Sequence, residues 1–212
     1  MNYFQDCSTF QSEELGVGVA HLKEEHLVWV LNYWQIEVER YPELCEQVRV
    51  GTFPYEFKGF LGRRNFCMES DGKIIARADS MWSLMNTDTM KPTQAPDALV
   101  ARYQIEPKLQ MGYGSRKIMV PEGGVQGEPL TVGMQHLDTN HHVNNGQYLT
   151  IALQYLPEEF GAGGIRRLRA EYRRQAFLNE VFYPYIVKNG NTVVISLRDK
   201  EGKPYTNMEF QK

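Results

Sequence analysis

"NFCMESDGKIIARADSMWSLMN", residues 65–86, reads as two strand-like runs joined at Asp71-Gly72. That dipeptide supplies the left-handed backbone of a tight two-residue hairpin. A second stretch of the same design, "TVVISLRDKEGKPYTNMEF", residues 192–210, turns near Glu201-Gly202. Outward from the first hairpin, Phe53, Tyr55 and Phe57 alternate along a strand. Before them, in "YWQIEVERY" (residues 33–41), Trp34, Ile36 and Val38 alternate with Gln35, Glu37 and Glu39. Strict alternation is the signature of a half-buried strand. Residues 2–15 carry Phe4, Cys7 and Phe10 near the helical period, and Gly16 and Gly18 supply a stop. "MKPTQAP" (90–96) reads as a linker, followed by a short helix over 97–103.

The order of events then recurs. After an irregular stretch rich in Gly and Pro (107–129), a strand-like run "LTVGMQHL" (130–137) leads into a helix. Tyr148, Ile151, Ala152 and Tyr155 form that helix's apolar face, and Pro157 and "GAGG" (161–164) end it. "RRLRAEYRRQ" (166–175) and "VFYPYIVKNG" (181–190) precede the closing hairpin. "IEVERYP" (36–42) and "AEYRRQA" (170–176) occupy corresponding places. The chain is read as an internal duplication with halves at 1–106 and 107–212, a scale at which repeats define architecture. The second half has a strand ahead of its helix and the first half has none, so a shortened start is expected.

Composition sets the outer bounds. With 42% hydrophobic residues in 212, the chain is long enough to bury a core. A formal charge of -3 gives no reason to expect nucleic acid. No run approaches the ~18 apolar residues of a membrane span. The N-terminus does not read as a signal peptide. Cys7, Cys45 and Cys67 lack CxxC spacing and read as reduced thiols of a cytoplasmic protein.

The densest chemistry lies in "HLDTNHHVNNGQYL", residues 136–149. Asparagine before a helix commonly caps it, and Asn144 or Asn145 is expected to do so. One cap leaves Asp138, Asn140, His141 and His142 unexplained. His136, Asp138, His141 and His142 are all possible zinc ligands. Their spacing matches neither a helical H-x-x-x-H nor a Cys/His finger, so no metal is expected. A catalytic reading has a physical basis. A helix N-terminus offers free N–H groups and a positive dipole end to an oxyanion. An upstream aspartate can take a proton or orient water. Spacing alone stops at a hydrolase-like site.

"LDTNHHVNNGQYL" resembles the D-x-N-x-H-V-N-N-x-x-Y segment of the plant and bacterial acyl-acyl-carrier-protein (acyl-ACP) thioesterases. "AEYRRQA" is similar to their second signature, E-Y-R-R-E-C in plant members, and "NYFQDCSTFQSEELG" to the first helix of bacterial members. The resemblance implies an α+β fold of two tandem hotdog domains, each a long helix wrapped by an antiparallel sheet. It implies hydrolysis of fatty acyl thioesters on acyl carrier protein, with the catalytic residues in the second hotdog and no cofactor. Asp138, Asn140 and His142 match the family's catalytic aspartate, asparagine and histidine. Where plant members have a glutamate this chain has Gln175, and where they have a cysteine it has Ala176. Glutamine cannot take a proton from water and alanine cannot be a nucleophile. Asp138 is therefore expected as the base, with Gln175 holding water or substrate. Asn140 would place the thioester or water, and His142 would orient the network. The backbone N–H groups of Val143, Asn144 and Asn145 would face the oxyanion.

Acyl carrier protein is acidic, so a basic docking patch is expected, and Arg166, Arg167, Arg169, Arg173 and Arg174 form the densest cluster. Trp29, Trp34, Phe53 and Trp82 are candidates for an acyl tunnel or simply for core. The substrate contacts and chain length stay open. The halves of a tandem hotdog pair internally, and association of two chains into a homodimer is possible. Two alternatives are an acyl-coenzyme A thioesterase of hotdog type and a catalytically weak acyl-binding protein, the latter motivated by Gln175 and Ala176.

Overall fold

The computed structural model describes residues 1–161 and 164–212. The chain forms two compact units, Met1–Gly114 and Ser115–Lys212. The first holds α1 (Asn2–Glu14), α2 (Val19–Glu24), β1 (Leu27–Val38), β2 (Arg49–Lys58), β3 (Leu61–Ser70), β4 (Lys73–Asn86), β5 (Lys91–Pro92) and α3 (Asp97–Val100). Its antiparallel strands lie in the order β2-β3-β4-β1, with the short β5 also on β4. The turn from β3 to β4 is made by Asp71 (φ 49°) and Gly72 (φ 71°), the conformation expected of that dipeptide. The helix expected over 97–103 is regular only to Val100.

The two faces of this sheet differ in chemistry. Trp34 and Phe66 are fully buried and pack with Phe4 of α1, at ring-centroid distances of 6.2 and 5.4 Å. Small residues stand across the strands from them: Ser80 opposite Trp34 and Ala78 opposite Phe66. That alternation of large and small lets a helix sit close to a sheet. The other face carries a buried polar row, Gln35 on β1, Asp79 on β4 and Asn65 on β3, each opposite the next. Asn65 Oδ1 accepts from Leu109 N–H (3.0 Å) and the Tyr113 hydroxyl (3.0 Å), and Gln35 Oε1 accepts from Gly114 N–H (2.8 Å). These bonds tie residues 109–114 to the first unit, so its boundary falls at 114 rather than the expected 106. The segment lacks periodicity because side chains from the sheet, not its own repeat, hold it.

The second unit holds β6 (Val125–Gln126), β7 (Leu130–Thr131), α4 (Asn145–Leu153), β8 (Arg167–Tyr172), β9 (Val181–Asn189), β10 (Thr192–Arg198) and β11 (Pro204–Gln211). Its order, β9-β10-β11-β8, repeats β2-β3-β4-β1, with β6 and β7 both added beside β9. The expected duplication is thus a duplication of topology, and "IEVERYP" and "AEYRRQA" begin on the matching strands β1 and β8. The strand expected over 130–137 is confined to Leu130–Thr131. Gly133 follows, and Met134–His136 form a 3-10 turn. Of the expected helix stop, Pro157 opens a 3-10 turn, while "GAGG" lies partly outside the described residues.

The outer edges of β2 and β9 are finished differently. On β9, Gly127 N–H donates to Pro184 O and Val132 N–H to Glu180 O. On β2, the carbonyls of Val50, Thr52 and Pro54 accept from Cys7 Sγ, Gln11 Nε2 and Glu106 N–H. Pro54 also removes one edge donor, a common protection for an edge strand. Among the described residues no strand precedes α1, and no helix is long and apolar enough to cross a membrane.

Candidate active site

The residues from Leu137 to Val143 make a closed loop, bridged at its base between Leu137 and Val143. The Asp138 carboxylate organises it from within. Its Oδ1 accepts from the N–H of Asn140 (2.8 Å) and of His142 (3.2 Å). The backbone closes the same turn, with Asp138 N–H donating to His142 O (2.8 Å) and His141 N–H to Asp138 O (3.1 Å). His141 takes a left-handed φ of 61° and is exposed, away from the loop interior. Aspartate favours such a turn because its short side chain reaches its own downstream N–H groups. Oδ2 accepts nothing among the described residues, so one oxygen builds the loop and the other is available to a proton.

Helix α4 begins directly after the loop. Asn144 is its cap: Oδ1 accepts from Gly146 N–H (2.8 Å). Such a cap contributes about 1 kcal/mol. Tyr148, Ile151 and Ala152 face inward, and Tyr148 packs with Tyr172 and Phe182 at 5.8 and 5.6 Å. Tyr155 lies past the helix end, its hydroxyl on Glu128 O. Burial raises the Tyr148 and Tyr172 phenols far above their ordinary range, keeping both neutral.

The second signature runs alongside. Val143 N–H donates to Ala176 O (2.9 Å), the Tyr148 hydroxyl to Arg174 O (3.4 Å), and the Tyr172 hydroxyl to Asn145 O (2.9 Å). These three bonds join stretches some thirty residues apart in sequence, 143–148 and 172–176. Gln175 sits between the two carbonyl anchors with its own side chain exposed and without a hydrogen bond among the described residues. Ala176 is fully buried.

The expected oxyanion donors are thereby narrowed. Val143 N–H is committed to Ala176 O, and Asn144 N–H donates to His136 O (2.9 Å). Only Asn145, the first helical residue, retains an N–H with no acceptor among the described residues. The correction arises because a strand-to-helix loop needs its own backbone closed before it can present anything outward. Asn140 is exposed, and its amide makes no hydrogen bond there. His142 is half-buried, and its ring meets Phe177. Neither signature pointed to Phe177.

His136 Nδ1 accepts from Gly133 N–H (3.0 Å), which gives it a loop-closing task. Among the described residues no group of three or more His, Cys, Asp or Glu side chains could hold a metal ion. The arginine cluster is not a free basic patch. Arg169 pairs with Glu209 through Nε (2.8 Å), Arg173 with Glu171 (3.2 Å) and Arg174 with Asp199 (2.8 Å). Glu171 is buried and accepts from Ile118 N–H and Asn207 as well. These bonds engage both Glu171 oxygens in holding its own surroundings together. The tunnel candidates divide: Trp34 is core, Trp29 packs on Phe57 at 6.0 Å, Phe53 is half-buried, and Trp82 donates to Ser80 Oγ.

A search among known protein families matches the acyl-ACP thioesterase N-terminal domain over residues 1–103 and the acyl-ACP thioesterase C-terminal domain over 124–186. A chloroplastic acyl-acyl-carrier-protein hydrolase of Cuphea viscosissima is 32% identical over 190 residues, covering 82% of this chain and 46% of that protein. The chloroplastic dodecanoyl-acyl-carrier-protein hydrolase of Cinnamomum camphora is 26% identical over 211 residues, 91% of this chain and 54% of that one. The chain spans about half the length of these relatives. Among solved structures, an acyl-ACP thioesterase from Bacteroides thetaiotaomicron superposes with a TM-score of 0.90 at 24% identity, over 99% of this chain and 86% of its own. The 12:0-ACP thioesterase from Umbellularia californica gives 0.87 at 22%, over 100% and 87%. These likenesses show the tandem hotdog fold.

Proposed function

The chain belongs to the acyl-ACP thioesterase family, and from that premise we propose that it hydrolyses fatty acyl thioesters of acyl carrier protein to free fatty acid and carrier. The observation that carries this reading is the Asp138 loop. A carboxylate with one committed and one open oxygen stands at the head of a helix and beside the second signature. Asp138 Oδ2 takes a proton from water as the water oxygen attacks the thioester carbonyl. The tetrahedral oxyanion is held by Asn145 N–H at the positive end of α4. Collapse expels the carrier thiolate, which recovers the proton from Asp138. Asn140 and Gln175 supply neutral amides, donor and acceptor together, to place the water and the thioester, and His142 orients that network. The buried Ala176 takes no part as a nucleophile. Three free cysteines accord with the cytoplasmic location proposed for the chain.

The observation favouring a second reading, a catalytically weak acyl-binding protein, is the uncharged Gln175. Fatty acid release from matched acyl-ACP and acyl-coenzyme A thioesters separates the possibilities. The proposal expects turnover with preference for the carrier-protein thioester. Preference for coenzyme A would move the substrate class, and acyl binding without turnover would favour the second reading.

A further inference from the structure

The ring of Phe177 meets the imidazole of His142 edge to face, with centroids 5.0 Å apart and planes at 81°. This arrangement sets the positive edge of one ring against the negative face of the other, which favours one mutual orientation over the alternatives. His142 has little else to hold it. Its backbone N–H is bonded to Asp138 Oδ1, and its ring nitrogens make no hydrogen bond among the described residues. The Phe177 ring is itself 47% exposed, so its contact with His142 lies at the surface rather than in the core. Its backbone is nevertheless pinned. Phe177 N–H donates to Glu180 Oε2 (2.8 Å) and Glu180 N–H to Phe177 O (3.2 Å). The turn is tied to the strand side by Asn179 N–H to Val132 O (3.0 Å) and Val132 N–H to Glu180 O (2.8 Å). Asn179 makes the turn with a φ of 68°, a conformation asparagine tolerates well.

We propose that Phe177 is a positioning residue for thioester hydrolysis, holding the His142 imidazole in the rotamer that serves the Asp138–Asn140 network. The proposal rests on the function given above, since the effect is read in that reaction. The pinned turn supplies a fixed platform, and the exposed ring does the holding. Its neighbour Ala176 fixes Val143, so the same short stretch sets both ends of the His142-Val143 dipeptide.

A double-mutant cycle on acyl-ACP hydrolysis tests this. Phe177→Leu should lower kcat about threefold to tenfold, the range of an aromatic contact, with KM changed less than about twofold. Phe177→Tyr should restore kcat. In a His142→Ala background Phe177→Leu should have no further effect. An equal loss in both backgrounds, or loss of thermal stability with kcat unchanged, would overturn the proposal. A second readout needs no turnover: NMR of the His142 ring protons, assigned through His142→Ala. Removal of the Phe177 ring current should shift these signals, and unmoved signals would also overturn the proposal. Wild-type protein inactive on every thioester sinks the functional reading, and the ring signals then still decide whether Phe177 holds His142.

Discussion

Asp138 and Asn144 divide the work at the head of α4: the first closes the loop and keeps an oxygen in reserve, while the second caps the helix. This division was half legible in the sequence. An aspartate and several asparagines before an apolar helix announce a cap and a surplus. The commitment of each N–H is not legible, because it depends on Ala176 and His136 approaching in space. The same is true of Phe177, whose contact with His142 joins the first signature to the residue just past the second. At Gln175 the sequence shows a missing carboxylate and the structure an exposed amide with no hydrogen-bond partner among the described residues. Gln175→Glu should raise kcat if the side chain reaches the attacking water. Unchanged kcat and KM on acyl-ACP would place it outside the site.

At the scale of elements, hairpins and amphipathic strands were readable because their signals are local: Asp71-Gly72 needs only its own backbone, and alternation needs only a pleat. The run 130–137 failed because a 3-10 turn forms over Met134–His136 and Val132 bonds to Glu180, a partner distant in sequence. The segment 109–114 failed for a related reason, being held by Asn65 and Gln35 from below. That polar row has an energetic consequence. Burial pushes the Asp79 carboxyl up from 3.8 to about 6, against the Tyr55 hydroxyl bond and the Arg63 and Lys108 charges that pull it down. A carboxyl raised in the folded state favours folding below its unfolded pKa, and that benefit is lost as pH rises through about 6. The full excursion is about 2–3 kcal/mol. Asp79→Asn keeps an acceptor for Tyr55 and removes the titration. Its melting temperature should exceed wild type by several degrees at pH 8 and converge on it near pH 4. A difference independent of pH would show that Asp79 is not the responsible group.

For the whole molecule, the duplicated order β2-β3-β4-β1 and β9-β10-β11-β8 gives two similar frames with different contents. One presents aromatic core and a buried polar row, the other a loop and helix start with open polar groups. The duplication was visible in the sequence through its repeated turn and strand pattern. The proposed specialisation of the second half rests on the 136–149 cluster, which the sequence displays. The central claim is that this loop performs general-base hydrolysis. Asp138→Asn tests it most directly, because an amide oxygen can still accept from Asn140 and His142 N–H and preserve the loop, but cannot take a proton. The account predicts that release of fatty acid from acyl-ACP falls by about 10²–10⁴-fold with the melting temperature little changed. Retained turnover in a folded Asp138→Asn protein would contradict it.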